Sequence, residues 1–162
     1  MSAVLATLET PALEYRTLTE SDMVTVAAIE ASVYVFPWSV GNFRDSLLSG
    51  YQCIGCWTDD ELIGYAIVMA ALEEAHLLNI AVASGWQRRG VGAEFLQHVI
   101  VCVRKQHLEM LYLEVRPSNI VARRMYERFG FRQLGLRRDY YPAITGREDA
   151  LFLGLNLAVP IA

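Results

Sequence analysis

Two places in this 162-residue chain bring together residue types that can do chemistry. The first is GWQRRGVGAEF, Gly85 to Phe95, where two glycines a residue apart open an apolar periodic segment. Such a loop exposes consecutive backbone N–H groups at a helix start, and its glycines put no Cβ in front of them, which is how a chain holds a phosphate. A helix dipole favours an anion there by about 0.3–1 kcal/mol when exposed and up to about 2 when partly buried. Arg88 and Arg89 add positive charge. The second place is Glu114, a lone carboxylate near the end of the apolar run MLYLEV, with Tyr126 on the segment that follows. A carboxylate taken out of water becomes a stronger base, and a phenol can serve as an acid.

Each feature has a plainer reading. The glycine loop can be an ordinary turn capping a core helix. Glu114 can be an edge-strand glutamate facing water, and Tyr126 a core tyrosine in an apolar stripe. The loop is also neither of two familiar phosphate signatures. A P-loop needs Lys and Ser/Thr after its last glycine, but Gly92 is followed by Ala93 and Glu94. A dinucleotide-binding turn needs a small residue three further on, and that position is Phe95. Both signatures fail on residues, and an anion site at a helix start and an ordinary glycine turn both stay open.

Composition narrows the function. The chain is 54% hydrophobic, enough for one globular domain spanning 1–162 with a core from about 13 to 157. Its formal net charge of -4 gives no general basic footprint, so direct nucleic-acid binding is not expected and a basic partner is tolerated. No apolar run approaches about 18 residues, and MSAVLATLETPALEYR lacks a basic region ahead of an apolar stretch. The expectation is a cytoplasmic protein without a membrane segment. Cys53 and Cys56 spell CxxC, but on a strand residues three apart face opposite ways, and His76, His98 and His107 supply no zinc spacing. They read as packed strand cysteines, and no metal is expected.

The elements that must position these residues follow from periodicity. Leu13 to Leu18 reads as a strand, Met23 to Tyr34 as a helix behind Thr19–Asp22, and Ser39 caps a second helix reaching Ser49. YQCIGCW and LIGYAIVMA flank Thr58–Glu61 as a hairpin. AHLLNIAVA is apolar on both alternating faces and suits a central strand covered on each side. Val91, Phe95, Leu96, Val99, Ile100 and Val103 recur at helical spacing, MLYLEV is a strand, and Val121, Ala122, Met125, Tyr126 and Phe129 stripe a last helix closed by Gly130. Strands around Phe131–Tyr140 and Glu148–Leu157 complete the order β-α-α-β-β-β-α-β-α-β-β. That is an α/β domain on a mixed sheet with helices on its faces.

QRRGVG, between the strand NIAV and a long helix, resembles the Q/R-x-x-G-x-G/A signature of the GNAT N-acetyltransferases. FPWS, EEAHLLNIAV, LEVRPSN, MYERFGF and RRDYYPAITGREDA, spread from Phe36 to Ala150, resemble the RimI-type members. Those are bacterial acetyltransferases of the N-terminal alanine of the eighteenth small-subunit ribosomal protein. The resemblance implies the single-domain GNAT (acyl-CoA N-acyltransferase) fold, with a mostly antiparallel mixed sheet, and acetyl-CoA as cosubstrate. It implies that Gln87, Arg88, Arg89, Gly90, Val91, Gly92 and Ala93 hold the pyrophosphate, that Ile80, Ala81 and Val82 lie along the pantetheine arm beside a splayed sheet, and that Asn119 contacts the same cosubstrate. Glu114 becomes the general base and Tyr126 the proton donor to sulfur. Phe36, Trp38, Tyr140 and Tyr141 become candidates for the peptide groove, and Glu73, Glu74, Glu148 and Asp149 for meeting a basic ribosomal-protein tail. Pro117 departs mildly from the family pattern. Other acceptor amines, and an acyl-CoA-binding module without catalysis, are the alternatives.

Overall fold

The computed structural model describes residues 12–158. The outermost residues counted in the expected domain, and the start MSAVLATLETP, lie outside this range. Strand β1 (Glu14–Thr17) leads through a 3-10 turn at Glu20–Asp22 to α1 (Met23–Val33) and α2 (Val40–Leu48). There follow β2 (Gln52–Thr58), β3 (Glu61–Ala71), β4 (Glu74–Val82), α3 (Val91–Lys105), β5 (Met110–Val115), α4 (Ile120–Arg128), β6 (Arg132–Pro142) and β7 (Arg147–Asn156). The expected order is found, each boundary within about two residues.

Local chemistry sets the boundaries. Ser39 caps α2 by accepting the Asn42 N–H at 3.1 Å, and Asn42 Oδ1 accepts the Ser39 N–H in return, a reciprocal capping box. Asp59 and Asp60 both take positive φ between β2 and β3, the backbone of a tight hairpin turn whose hand matches the strand twist. Gly130 ends α4 at φ 97°. Of the apolar stripe expected on α4, Ala122, Met125, Tyr126 and Phe129 face the core, whereas Val121 is exposed. Val121 stands a third of a turn from Ala122, outside the arc that the other four share.

One seven-stranded sheet runs in the order β1-β2-β3-β4-β5-β7-β6, antiparallel throughout except for the parallel pair β4–β5. β4 is central and covered on both faces. Phe95, Leu96, Val99, Ile100 and Val103 of α3 join Tyr126 and the inward side chains of β5 and β7 in one core cluster. Met23, Val26 and Ile29 of α1 and Phe43 of α2 form a second cluster on Tyr65, Ile67 and Ala81. Cys56 belongs to the first cluster and Cys53 to the second, so the CxxC pair straddles the sheet. Both are free thiols that burial pushes up to about 11. β6 is an irregular edge: its register slips between Gln133 and Gly135 and again between Arg137 and Tyr141, where Asp139 adopts φ 52°.

At Gly64 the backbone of β4 comes close to β3. A Cβ there would stand 2.9 Å from the Ala81 carbonyl oxygen, a backbone atom that cannot yield alone. Gly64→Ala is expected to cost about 1–3 kcal/mol, as overpacking does in well-filled cores. Urea unfolding should show a lower midpoint with an unchanged slope.

Candidate active site

The parallel ladder between β4 and β5 has three rungs: Glu74–Met110, Ala75–Leu111 and His76–Tyr112. Immediately beyond it β4 carries a bulge. Leu77 pairs with Val68 and Asn79 with Ile67, so Leu78 has no partner on β3. A bulge bends and twists its strand, and β4 leaves β5 here. The splay expected of the sheet is present. Between the parted strands lies a cleft of about 620 Å³, reached by Glu30, Tyr34, Phe36 and Trp38 from one side and by Glu114, Asn119, Tyr126 and Tyr141 from the other. The edge of β4 left without a strand is partly capped: the Tyr34 hydroxyl donates to the Ile80 carbonyl at 2.8 Å, and Gln87 Nε2 donates to the Val82 carbonyl at 3.0 Å.

β5 alternates strictly, with Leu111, Leu113 and Val115 in the core and Glu114 on the opposite face. β5 lies between β4 and β7, and at Glu114 it is paired with β7 alone because β4 has already parted from it. Its side chain is only 10% exposed and lines the cleft. Oε2 lies 2.5 Å from His76 Nε2, and Oε1 lies 3.4 Å from Arg137 Nε. Tyr126 enters the same cleft from α4. Its ring meets Phe131 edge-on at 5.5 Å, and its hydroxyl has no protein hydrogen-bond partner among the described residues. Burial pushes this phenol well above the ordinary value, and burial does the same for Tyr34 and Tyr141 beside it. All three remain neutral at physiological pH.

The glycine loop lies past the end of β4, outside the cleft itself. Gly90 takes φ 80° as the residue before α3, a conformation that favours glycine, and Arg88 takes φ 62°. A Cβ on Gly92 would stand 3.9 Å from both Met125 Sδ and Val82 Cγ2, so protein packing does not require a glycine there. The first N–H groups of α3, from Val91, Gly92 and Ala93, precede the first intrahelical bond, Glu94 N–H to Gly90 O. The Arg89 guanidinium lies over Trp86 at 4.9 Å. Ile80 lines the cleft, while the side chains of Ala81 and Val82 are buried in the cores. Asn119 caps α4, its Oδ1 accepting the Ala122 N–H at 3.2 Å. The turn with Pro117 keeps this cap intact.

A family model for the acetyltransferase (GNAT) family matches residues 21–131. The chain belongs to that family. It is an N-acetyltransferase, and its acetyl donor is acetyl-CoA. The [ribosomal protein bS18]-alanine N-acetyltransferase of Salmonella typhimurium is 37% identical over 142 residues, 88% of this chain and 96% of that protein. Its Escherichia coli K12 counterpart is 36% identical over the same shares. The crystal structure of the Escherichia coli ribosomal-protein-S18-alanine N-acetyltransferase superposes with a TM-score of 0.87 at 34% identity, covering 92% of this chain and 96% of that one. Ard1 from Thermoplasma volcanium, 21% identical with a TM-score of 0.82 and covering 90% of this chain and 97% of its own, shares the fold.

In this acetyltransferase Phe36, Trp38 and Tyr141 line the cleft, whereas Tyr140 lies outside it, half-exposed and edge-on to Tyr141 at 4.9 Å. The acids expected to meet a basic tail do not gather. Glu73 and Glu74 lie at the far end of β4. Asp149 accepts the Asp139 N–H at 2.9 Å in the β6 irregularity. Glu148 lines the cleft, but Arg116 Nη1 and both the hydroxyl and N–H of Ser118 already donate to it. Arg116 is itself held over Tyr141 at 4.4 Å and Phe36 at 5.7 Å. Among the described residues, no group of three or more His, Cys, Asp or Glu is arranged to hold a metal, and no helix is long and apolar enough to cross a membrane.

Sequence reading missed Glu30, His76, Arg116 and Arg137. Glu30 is 2% exposed and accepts from Asn79 Nδ2 at 3.0 Å, from the Trp38 N–H at 3.1 Å and from the Tyr65 hydroxyl. It is the one charge in the apolar segment MVTVAAIEASV, the same signal that singled out Glu114. The Ser118 hydroxyl, more than any other contact, holds the Glu148 carboxyl below the usual range. A lowered folded value means stability that is complete above the ordinary glutamate range and is lost as pH falls through the lowered one. The deficit of Glu148→Gln against the parent chain should therefore shrink as pH is taken from 6 to 3, read by urea unfolding at each pH.

Proposed function

We propose that this acetyltransferase acts on the α-amine of a protein N-terminus, and that its substrate is the N-terminal alanine of a bS18-type ribosomal protein. The observation that carries this reading is the cleft between β4 and β5, where the Glu114 carboxylate and the unpartnered Tyr126 hydroxyl line one space. The relatives at 36% and 37% identity, named for that activity, support the choice of acceptor. Such a substrate would be met in the cytoplasm.

The donor supplies an acetyl group activated as a thioester. The residues present fit its handle: the open edge of β4 at Ile80 to Val82 can pair with an extended, amide-bearing arm as an added strand would. Gln87 to Ala93 present the N–H groups and the Gly90 turn that suit a pyrophosphate, and Asn119 lines the cleft together with Glu114. A peptide α-amine has a pKa of about 7.7–8.0, so much of it is protonated at neutral pH and cannot attack. Glu114 takes that proton. Tyr126 delivers its own to the departing sulfur. Burial makes the phenol a weaker acid, but it disfavours a thiolate in the same cleft for the same reason, so the transfer is not set against itself. Phe36, Trp38 and Tyr141 wall the entrance through which a chain end would pass, with Arg116 braced between Phe36 and Tyr141.

A peptide beginning Ala-Arg should be acetylated at its α-amine when incubated with labelled acetyl-CoA, as read by mass spectrometry, and a ribosomal-protein mixture should yield one dominant labelled N-terminus. Glu114→Gln and Tyr126→Phe should each lower kcat by about 10²–10⁴ while leaving acetyl-CoA affinity within about threefold. Preference for a free amine lacking any peptide would overturn the substrate reading. Parental turnover in the double variant would overturn the two roles.

A further inference from the structure

His76 occupies the last rung before β4 and β5 part, opposite Tyr112. Two residues beyond Tyr112, Glu114 turns into the cleft, and the imidazole Nε2 lies 2.5 Å from its Oε2. An ionised carboxylate can only accept, so the neutral ring that makes this bond carries its proton on Nε2 and leaves Nδ1 bare. The other carboxylate oxygen meets only Arg137, whose Nε at 3.4 Å is an ion-pair distance without a hydrogen bond. Arg137 is a loose partner. Its side chain is half-exposed, and its guanidinium also lies 5.4 Å from the Phe152 ring and 5.7 Å from Tyr140. Among the described residues, the His76 bond is thus the one hydrogen bond that fixes the orientation of Glu114.

We infer that His76 is the positioning residue of the general base: its Nε2–H holds Oε2 and keeps the carboxylate turned to the incoming amine instead of collapsing onto Arg137. A base oriented by a third group is a recurrent arrangement in group transfer. β4 supplies that group here because the bulge at Leu78 begins only after His76, which leaves the imidazole on the rigid, paired part of the strand. The inference rests on the role proposed above for Glu114.

The test is a double-mutant cycle on kcat with the Ala-Arg peptide, since a residue that acts only through Glu114 has nothing to act on once Glu114 is replaced. His76→Leu, which keeps bulk and removes the donor, should lower kcat by about ten- to a hundredfold, the scale of a misplaced reacting group. KM for peptide and for acetyl-CoA should stay within about twofold. His76→Gln, which restores an N–H donor, should recover at least about a third of the parental kcat. In the Glu114→Gln background, adding His76→Leu should cost nothing further. Equal losses in both backgrounds, parental kcat in His76→Leu, or no recovery in His76→Gln would each overturn the positioning role. If Glu114→Gln itself turns over at the parental rate, the base assignment fails instead, so the two failures are distinguishable. Thermal unfolding checks that each variant is folded, and His76→Ala takes the place of the leucine variant if that one is not.

Discussion

Breaking a parallel strand pair in the middle of a sheet strips backbone donors and acceptors of their partners where water is scarce, at about 1–3 kcal/mol for each group left unsatisfied. In this acetyltransferase β4 and β5 part after three rungs, driven by the unpaired Leu78. The fold contains the damage with side chains. Tyr34 and Gln87 reach the Ile80 and Val82 carbonyls, one from the end of α1 and one from the loop before α3. The wall of the cleft and the anchor of the glycine loop are therefore consequences of the same missing hydrogen bonds.

Three carboxylates surround the cleft, and each is held differently. Glu30 is buried and fully engaged, joining α1 to β3, to the Asn79 end of the bulge and to the turn before Trp38. Glu148 is engaged by Arg116 and by the Ser118 turn that precedes α4. Both fasten segments that carry cleft side chains. Among the described residues, Glu114 is the one of the three with an oxygen whose sole charged partner is a half-exposed cation. Glu114 is thus the carboxylate of the three that keeps spare accepting capacity toward the cleft.

Much of this was legible in the sequence. Capping residues, the Asp-Asp turn and the double-sided apolar pattern of β4 are local signals, and they located the elements. Glu114 stood out as a carboxylate in an apolar run, Tyr126 was picked out by the resemblance to the family, and both line the cleft. What stayed hidden depends on contacts between distant segments. Glu148 looked like a free acid because Ser118 and Arg116 are thirty residues away in sequence. His76 was weighed only for metal spacing, and nothing local reveals that its ring reaches a carboxylate on another strand. Tyr140 and Tyr141 are adjacent in sequence, yet the irregularity of β6 sends only the second into the cleft.

That irregular edge has another consequence. An exposed outer strand invites a foreign strand to join it, the first step of edge-to-edge aggregation. β6 carries exposed Leu134, Leu136 and Tyr140, but two register slips, a left-handed Asp139 and the arginines at 132, 137 and 138 make it a poor template. The strand edge that the sheet does leave open lies along β4 beyond its bulge, inside the molecule and only partly capped. The sheet thus refuses company at its rim and keeps its open edge at the centre, inside the cleft.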